Sequence, residues 1–84
     1  MNMKQRVLTL ALNHPDAQFF IVKVKKANPN FWKMINLMPS YTLFKIMNTH
    51  LIRREKLPYI KDKIYKDHAV VFCKQGENIT LVAE

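Results

Sequence analysis

The chain has 84 residues, 49% of them hydrophobic, and its aromatic residues are five Phe, three Tyr and one Trp. This composition excludes disorder along the whole length and predicts one domain, residues 1–84, with a single modest core. Fourteen Lys and Arg against six Asp and Glu give a formal net charge of +8. Such a surplus of positive charge favours a polyanionic partner. Nucleic acid is the commonest such partner, and an anionic membrane or an acidic protein surface is the alternative.

Residue types exclude several kinds of site. Cys73 is the single cysteine, so no internal disulfide can form and we expect a cytoplasmic protein. His14, His50 and His68 lack the spacing of metal ligands, and one glycine cannot build a Gly-rich phosphate loop. No apolar run approaches the length of a membrane span. We therefore expect no metal, no cofactor, no membrane partner and no enzymatic activity.

The first two predicted elements are a helix and a strand. Residues 4–12 carry apolar side chains at helical spacing, and the helix is expected to end near Asn13, with Pro15 beyond it. Residues 18–26 are rich in β-branched side chains and predict a strand. A second helix beginning at Asp16 is the alternative for this segment.

Two helices are predicted next, over residues 29–38 and 40–54. Asn28 can cap the first, Pro29 suits its first position, and Pro39 separates the two. The second helix has one apolar face, made of Leu43, Phe44, Met47 and Leu51. Its opposite arc is polar and basic and contains Thr42, Lys45, Thr49 and Arg53, flanked by Tyr41 and Asn48, and Lys56 continues this arc just beyond residue 54.

The C-terminal residues 69–84 predict a β-hairpin. Two β-rich runs surround Gln75-Gly76-Glu77-Asn78, and tight hairpins need residues that tolerate a positive φ. We expect Gly76 and Asn78 to supply those conformations. The predicted order is helix, strand, helix, helix, β-hairpin, which is a small α+β domain.

This order resembles that of winged helix-turn-helix DNA-binding regulators. "FWKMINLMPSYTLFKIMNTHLIRR" is similar to the helix-turn-helix, placed at residues 29–54, and "AVVFCKQGENITLV" to the wing, placed in 69–84. The resemblance implies a transcriptional regulator that binds duplex DNA, as a homodimer on paired half-sites.

The resemblance also assigns roles within that DNA complex. The residues of helix 40–54 expected to meet base edges in the major groove are Thr42, Lys45, Asn48 and Thr49. Those expected to contact phosphates are Tyr41, Arg53, Arg54 and Lys56. The hairpin tip, residues 74–78, would follow the DNA backbone with Lys74, Gln75 and Asn78.

Other functions stay open at this point. A polar helix face is also what any solvated surface helix shows. A small basic chain without catalytic motifs equally suits a phage- or plasmid-type accessory protein that binds an acidic protein partner. A small RNA-cleaving toxin is the third possibility, with His68, Tyr65, Arg53 and Arg54 as its candidate residues.

Overall fold

The computed structural model describes residues 3–23, 33, 37–60 and 69–82. The helical elements are α1 (Met3–Asn13), α2 (Ser40–Ile46) and a 3₁₀ helix, η1 (Arg54–Tyr59). The strands are β1 (Gln18–Lys23), β2 (His50–Ile52), β3 (Ala69–Gln75) and β4 (Asn78–Val82). All neighbouring strands pair antiparallel, in the order β2-β1-β3-β4.

The sheet is covered by helices on both faces. Successive side chains of a strand alternate between faces, so Phe19 packs on the α1 side while Val22 packs on the α2 side. This explains why β1 and β3 are apolar almost without interruption rather than alternating with polar residues. The buried residues on the α1 side are Met3, Val7, Ala17, Phe19, Leu57, Ile60, Val71, Cys73 and Val82. Those on the α2 side are Val22, Leu43, Val70 and Phe72.

The α2 side of the core is built around aromatic rings. Phe44 of α2 meets Phe20 of β1 and Phe72 of β3 edge to face, with ring centroids 5.0 and 5.7 Å apart, an arrangement that the ring quadrupoles favour. The hydroxyl oxygen of Ser40 also accepts a hydrogen bond from the Leu81 N–H at 3.2 Å. Helix α2 is thereby attached to both the sheet face and the outer edge of β4.

The 3₁₀ helix η1 follows a three-residue period. In such a helix residues i and i+3 lie in one row, and Leu57 and Ile60 are the buried pair that packs toward α1. The row displaced by one residue, Lys56 and Tyr59, is exposed. One short segment therefore contributes both to the core and to the surface beside β2.

Several sequence predictions are confirmed. The chain is an α+β domain, its first helix covers the predicted residues 4–12, and residues 18–23 form a strand. The alternative of a helix beginning at Asp16 is therefore wrong. Residues 24–26 and most of the helix predicted at 29–38 lie outside the described residues. The hairpin is confirmed, and its β3 strand pairs with β1.

The helix predicted over residues 40–54 is wrong beyond Ile46. Met47 has φ −93° and ψ 150°, which is extended backbone, and β2 then begins at His50. Asn48 and Thr49 are poor helix formers that favour turns. The following residues gain more from pairing with β1, where Ile52 lies opposite Phe19.

The hairpin tip corrects a second expectation. Gly76 has φ +57°, and within the described ranges no residue other than glycine has a positive φ. Asn78 therefore does not adopt the conformation predicted for it; it starts β4 and pairs with Gln75. Gly76 and Glu77 form a two-residue loop in which only the first position requires glycine, as in a type II′ turn.

Candidate nucleic-acid interface

A groove lies between α2 and the hairpin tip and is called here the α2–hairpin groove. Its volume is about 260 Å³, and its lining residues are Tyr41, Phe44, Lys45, Lys74, Gly76, Glu77 and Ile79. Helical spacing of three and four residues places Phe44 and Lys45 beside Tyr41. Strand alternation places Lys74 on the same sheet face as Phe72, which is the face that α2 covers. The groove therefore joins residues that are distant in the sequence.

Both lysines of this groove lie over aromatic rings. The Lys45 Nζ is 4.7 Å from the centroid of Tyr41, and the Lys74 Nζ is 5.9 Å from the centroid of Phe44. The negative face of each ring attracts the ammonium group and restricts where it can lie. Neither contact neutralises the positive charge. The groove presents these two ammonium groups against one carboxylate, that of Glu77.

The structure brings together three of the predicted DNA-binding residues: Tyr41, Lys45 and Lys74. Thr42 belongs to the same helix but is half-buried. Gln75 and Asn78 form a pair on the sheet face that α1 covers. They lie next to the tip without lining the groove.

The remaining predicted residues lie elsewhere because helix 40–54 is interrupted. Asn48 and Thr49 lie in the connection between α2 and β2. Arg53 and Lys56 line a different groove, next to β2, while α2 packs against β4 at the opposite edge of the sheet. The predicted stripe from Thr42 to Lys56 is therefore not one continuous surface.

The guanidinium of Arg54 is engaged in hydrogen bonds to the backbone, although the residue is exposed. Its guanidinium donates hydrogen bonds to the carbonyl oxygens of Ala11 (2.9 Å), His14 (2.6 Å) and Ala17 (3.0 Å). The last carbonyls of a helix have no intrahelical partner and carry partial negative charge. Arg54 thus holds the C-terminal end of α1 and the turn that follows it, with its guanidinium bonded to backbone carbonyls.

Phe44 lies on the predicted apolar face of the helix, and the sequence did not indicate that it also lines the groove. Its ring packs on Phe20 and Phe72 and also underlies Lys74. The signal that predicts this contact is strand alternation in β3, since Lys74 follows Phe72 by two residues. That signal becomes usable only once α2 is known to cover this face.

Chemistry other than charge and hydrogen bonding finds little support in the described part of the chain. Burial raises the pKa of the Cys73 thiol, an effect that nearby Arg54 partly offsets, so the thiol is protonated and unreactive at neutral pH. Residues 3–23, 33, 37–60 and 69–82 contain no cluster of three His, Cys, Asp or Glu side chains placed to hold a metal. His68 and Tyr65, candidates for RNA cleavage, lie outside the described residues.

No helix among the described residues combines the length and apolar character needed to cross a membrane.

Comparison with protein-family models, with curated proteins and with solved structures gives no match to this chain. The evidence on function therefore comes from the residues of this chain, above all from the charged residues that line its grooves.

Proposed function

We propose that this protein binds duplex DNA through the phosphate backbone, with the α2–hairpin groove as its contact surface. The observation that carries the proposal is the pair of ammonium groups, Lys45 and Lys74, positioned over aromatic rings beside the hairpin tip. The formal net charge of +8 supports it, because a basic protein is drawn to DNA from a distance.

In this proposal the two lysines bind phosphates as compact point charges, each with three N–H donors. Tyr41 is 47% exposed, and its hydroxyl offers a further donor to a phosphate oxygen. Gly76 lets the tip approach the backbone closely because it has no side chain and nothing lies near its Cβ position. The hairpin would follow the DNA backbone, as the winged-helix resemblance implies.

Recognition of base sequence by α2 contributes less here than the winged-helix resemblance implies. The helix has seven residues and is thus only about 10 Å long. Thr42, one of the residues expected at base edges, is half-buried. Phosphate contacts position a protein on DNA without discriminating between sequences. We therefore expect binding with weak sequence preference, and a regulatory role would require further contacts.

The test is a DNA-binding titration by fluorescence anisotropy, using a labelled duplex of about 20 base pairs at salt concentrations from about 50 to about 200 mM. The Lys45→Gln/Lys74→Gln double variant should weaken binding. The slope of log K against log salt is negative and should become less steep by about 1.8, since two phosphate contacts are lost. Arg53→Gln/Lys56→Gln removes the same charge from the other groove and serves as the matched control.

Two results would contradict the proposal. One is binding that does not depend on salt. The other is an equal loss of affinity in both double variants, which would indicate attraction to net charge without a defined surface. Circular dichroism and urea unfolding of each variant establish that the fold is retained before the affinities are compared.

A further inference from the structure

Among the described residues β2 forms one edge of the sheet, and the pairing set by the hairpin determines which backbone groups of β2 face outward. In a two-residue hairpin the residues flanking the loop, Gln75 and Asn78, exchange hydrogen bonds. Alternation along β4 then directs the Leu81 N–H away from β3. The bond from that N–H to the Ser40 hydroxyl confirms this direction.

The same alternation extends across the sheet to β2. Phe72 must direct its backbone groups toward Phe20 of β1, so Phe19 and Ile21 direct theirs toward β2. Their partners there are Ile52 and His50. Leu51, between those two, is left with its N–H and C=O facing outward. Within the described part of the chain neither group has a hydrogen-bond partner.

A groove of about 480 Å³ runs along this edge, called here the β2-edge groove. Its lining residues are Ile21, Leu51, Ile52, Arg53, Lys56, Tyr59 and Ile60. Leu51 is 56% exposed and Tyr59 is 80% exposed. The three-residue period of η1 places Lys56 and Tyr59 in one row, and Arg53 precedes that row by the same interval. Apolar surface, cations and unpaired backbone groups therefore occur together.

We propose that the β2-edge groove binds an acidic, extended peptide segment of another protein, which adds a strand to the sheet beside Leu51. Backbone hydrogen bonds of this kind attach a peptide to a sheet edge, and pockets for alternate side chains select it. Here the peptide's apolar side chains would meet the groove between Leu51 and Tyr59. Its carboxylates would meet Arg53 and Lys56.

Charge complementarity identifies the partner as acidic. Two acids among the described residues lie near this groove. Asp16 lines an adjoining groove together with Leu51, Ile52 and Arg53. The carboxylate of Glu55 is 3.8 Å from the guanidinium of Arg53, and these two side chains are 69% and 78% exposed. An exposed pair at that distance is weak, so the guanidinium remains free to bind another carboxylate. A second copy of the chain would instead bring a protein of net charge +8 to Arg53 and Lys56.

This inference does not rest on DNA binding, since the α2–hairpin groove lies at the opposite edge of the sheet. The test uses a capped peptide of alternating Glu and Val as the probe, with the matching Lys-Val peptide as its control. We expect the acidic peptide to shift the amide NMR signals of His50, Leu51 and Ile52 and to slow hydrogen exchange of the Leu51 N–H. The basic peptide should do neither.

Substitutions at Leu51 separate the backbone contact from the side-chain contact. Leu51→Pro removes the outward N–H without removing a bond to β1, and proline is tolerated at such edge positions. It should weaken peptide binding about tenfold relative to Leu51→Ala, the equivalent of one hydrogen bond of about 1.4 kcal/mol. Leu12→Ala, at a leucine of α1 that is 82% exposed, should leave binding unchanged.

A charge-reversed variant keeps the inference testable if Leu51→Pro does not fold. Arg53→Glu/Lys56→Glu should lose the acidic peptide and gain the basic one. Lys45→Gln/Lys74→Gln should retain peptide binding even where it loses DNA. The proposal is overturned if both peptides bind equally, or if Leu51→Pro and Leu51→Ala bind alike. Protection of the Leu51 amide that rises with protein concentration in the absence of peptide would instead identify a second copy as the partner.

Discussion

Arg54 shows at the scale of one residue why a cation count does not identify a binding site. Its guanidinium bonds the carbonyl oxygens of Ala11, His14 and Ala17, while its neighbour Arg53 is 78% exposed. The two residues are identical in type and adjacent in the sequence. Their different roles follow from η1, in which consecutive residues belong to different rows.

We expect Arg54→Ala to lower the free energy of unfolding by about 1–2 kcal/mol, because three partly exposed carbonyls, at the end of α1 and in the turn that follows it, lose the guanidinium as a donor. Arg54→Lys should retain only part of this contribution, since an ammonium lacks the planar fork. Arg53→Ala is the control and should change stability by less than about 0.5 kcal/mol. Urea unfolding measures all three, and equal effects at the two positions would contradict the assigned role.

At the scale of elements, the two edges of the sheet are treated differently. At the outer edge of β4, the Leu81 N–H finds a partner in Ser40 of α2. The outer edge of β2 has no such partner among the described residues. An unpaired strand edge is a template for pairing with another chain. This is why we propose that an extended peptide binds at the β2-edge groove.

The contact between α2 and β4 predicts a local effect of Ser40→Ala. Alanine is a good helix former at this first position of α2, so the loss should be confined to the hydrogen bond, at about 1 kcal/mol. Hydrogen exchange of the Leu81 amide should become faster, while Ser40→Thr, which keeps a hydroxyl oxygen, should restore it. Unchanged exchange at Leu81 in the alanine variant would show that the bond does not protect this edge.

At the scale of the whole molecule, charge acts against compactness. A net charge of +8 is confined within a Cα radius of gyration of 12.0 Å, close to the Debye length of about 10 Å at 0.1 M salt. Salt should therefore relieve self-repulsion within the protein. The same salt should weaken DNA binding, because both effects arise from one charge excess.

We expect the melting temperature to rise by about 4–8 °C between low salt and about 0.2 M NaCl, which corresponds to about 1 kcal/mol for a domain of this size. Thermal unfolding followed by circular dichroism measures the change. Lys45→Gln/Lys74→Gln reduces the excess by two charges and should show a smaller rise. A melting temperature that falls with salt would indicate that attractive ion pairs outweigh repulsion.

Much of the sheet follows from local sequence. Residues 18–23 and 69–75 are continuous β-rich runs, and Gly76 is the glycine that the hairpin loop requires at φ +57°. Strand, turn and strand are all specified within a short window here. Of the proposed DNA site, Tyr41, Lys45 and Lys74 could be named from the sequence, since the start of helix α2 and the hairpin were both predicted correctly.

The rest of the site depended on how residues 40–54 continue. Leu43, Phe44 and Met47 begin an apolar helical face, and the helical spacing of the sequence predicts that Leu51 extends it. In the structure Leu51 lies in β2 and is exposed. Helix periodicity is a weak preference that pairing with another strand overrides. The partner strand, β1, is too far away in the sequence for a local pattern to include it.

By itself the sequence determined the α+β class, the first helix, the hairpin and the excess of positive charge, because each depends on neighbouring residues or on composition. Only the tertiary structure decided which cations share a surface, which one holds α1, and which strands lie at the edges of the sheet. Those properties arise from pairing and packing between distant segments. The hydrogen bonds and ring contacts formed there have no counterpart in any short stretch of the chain.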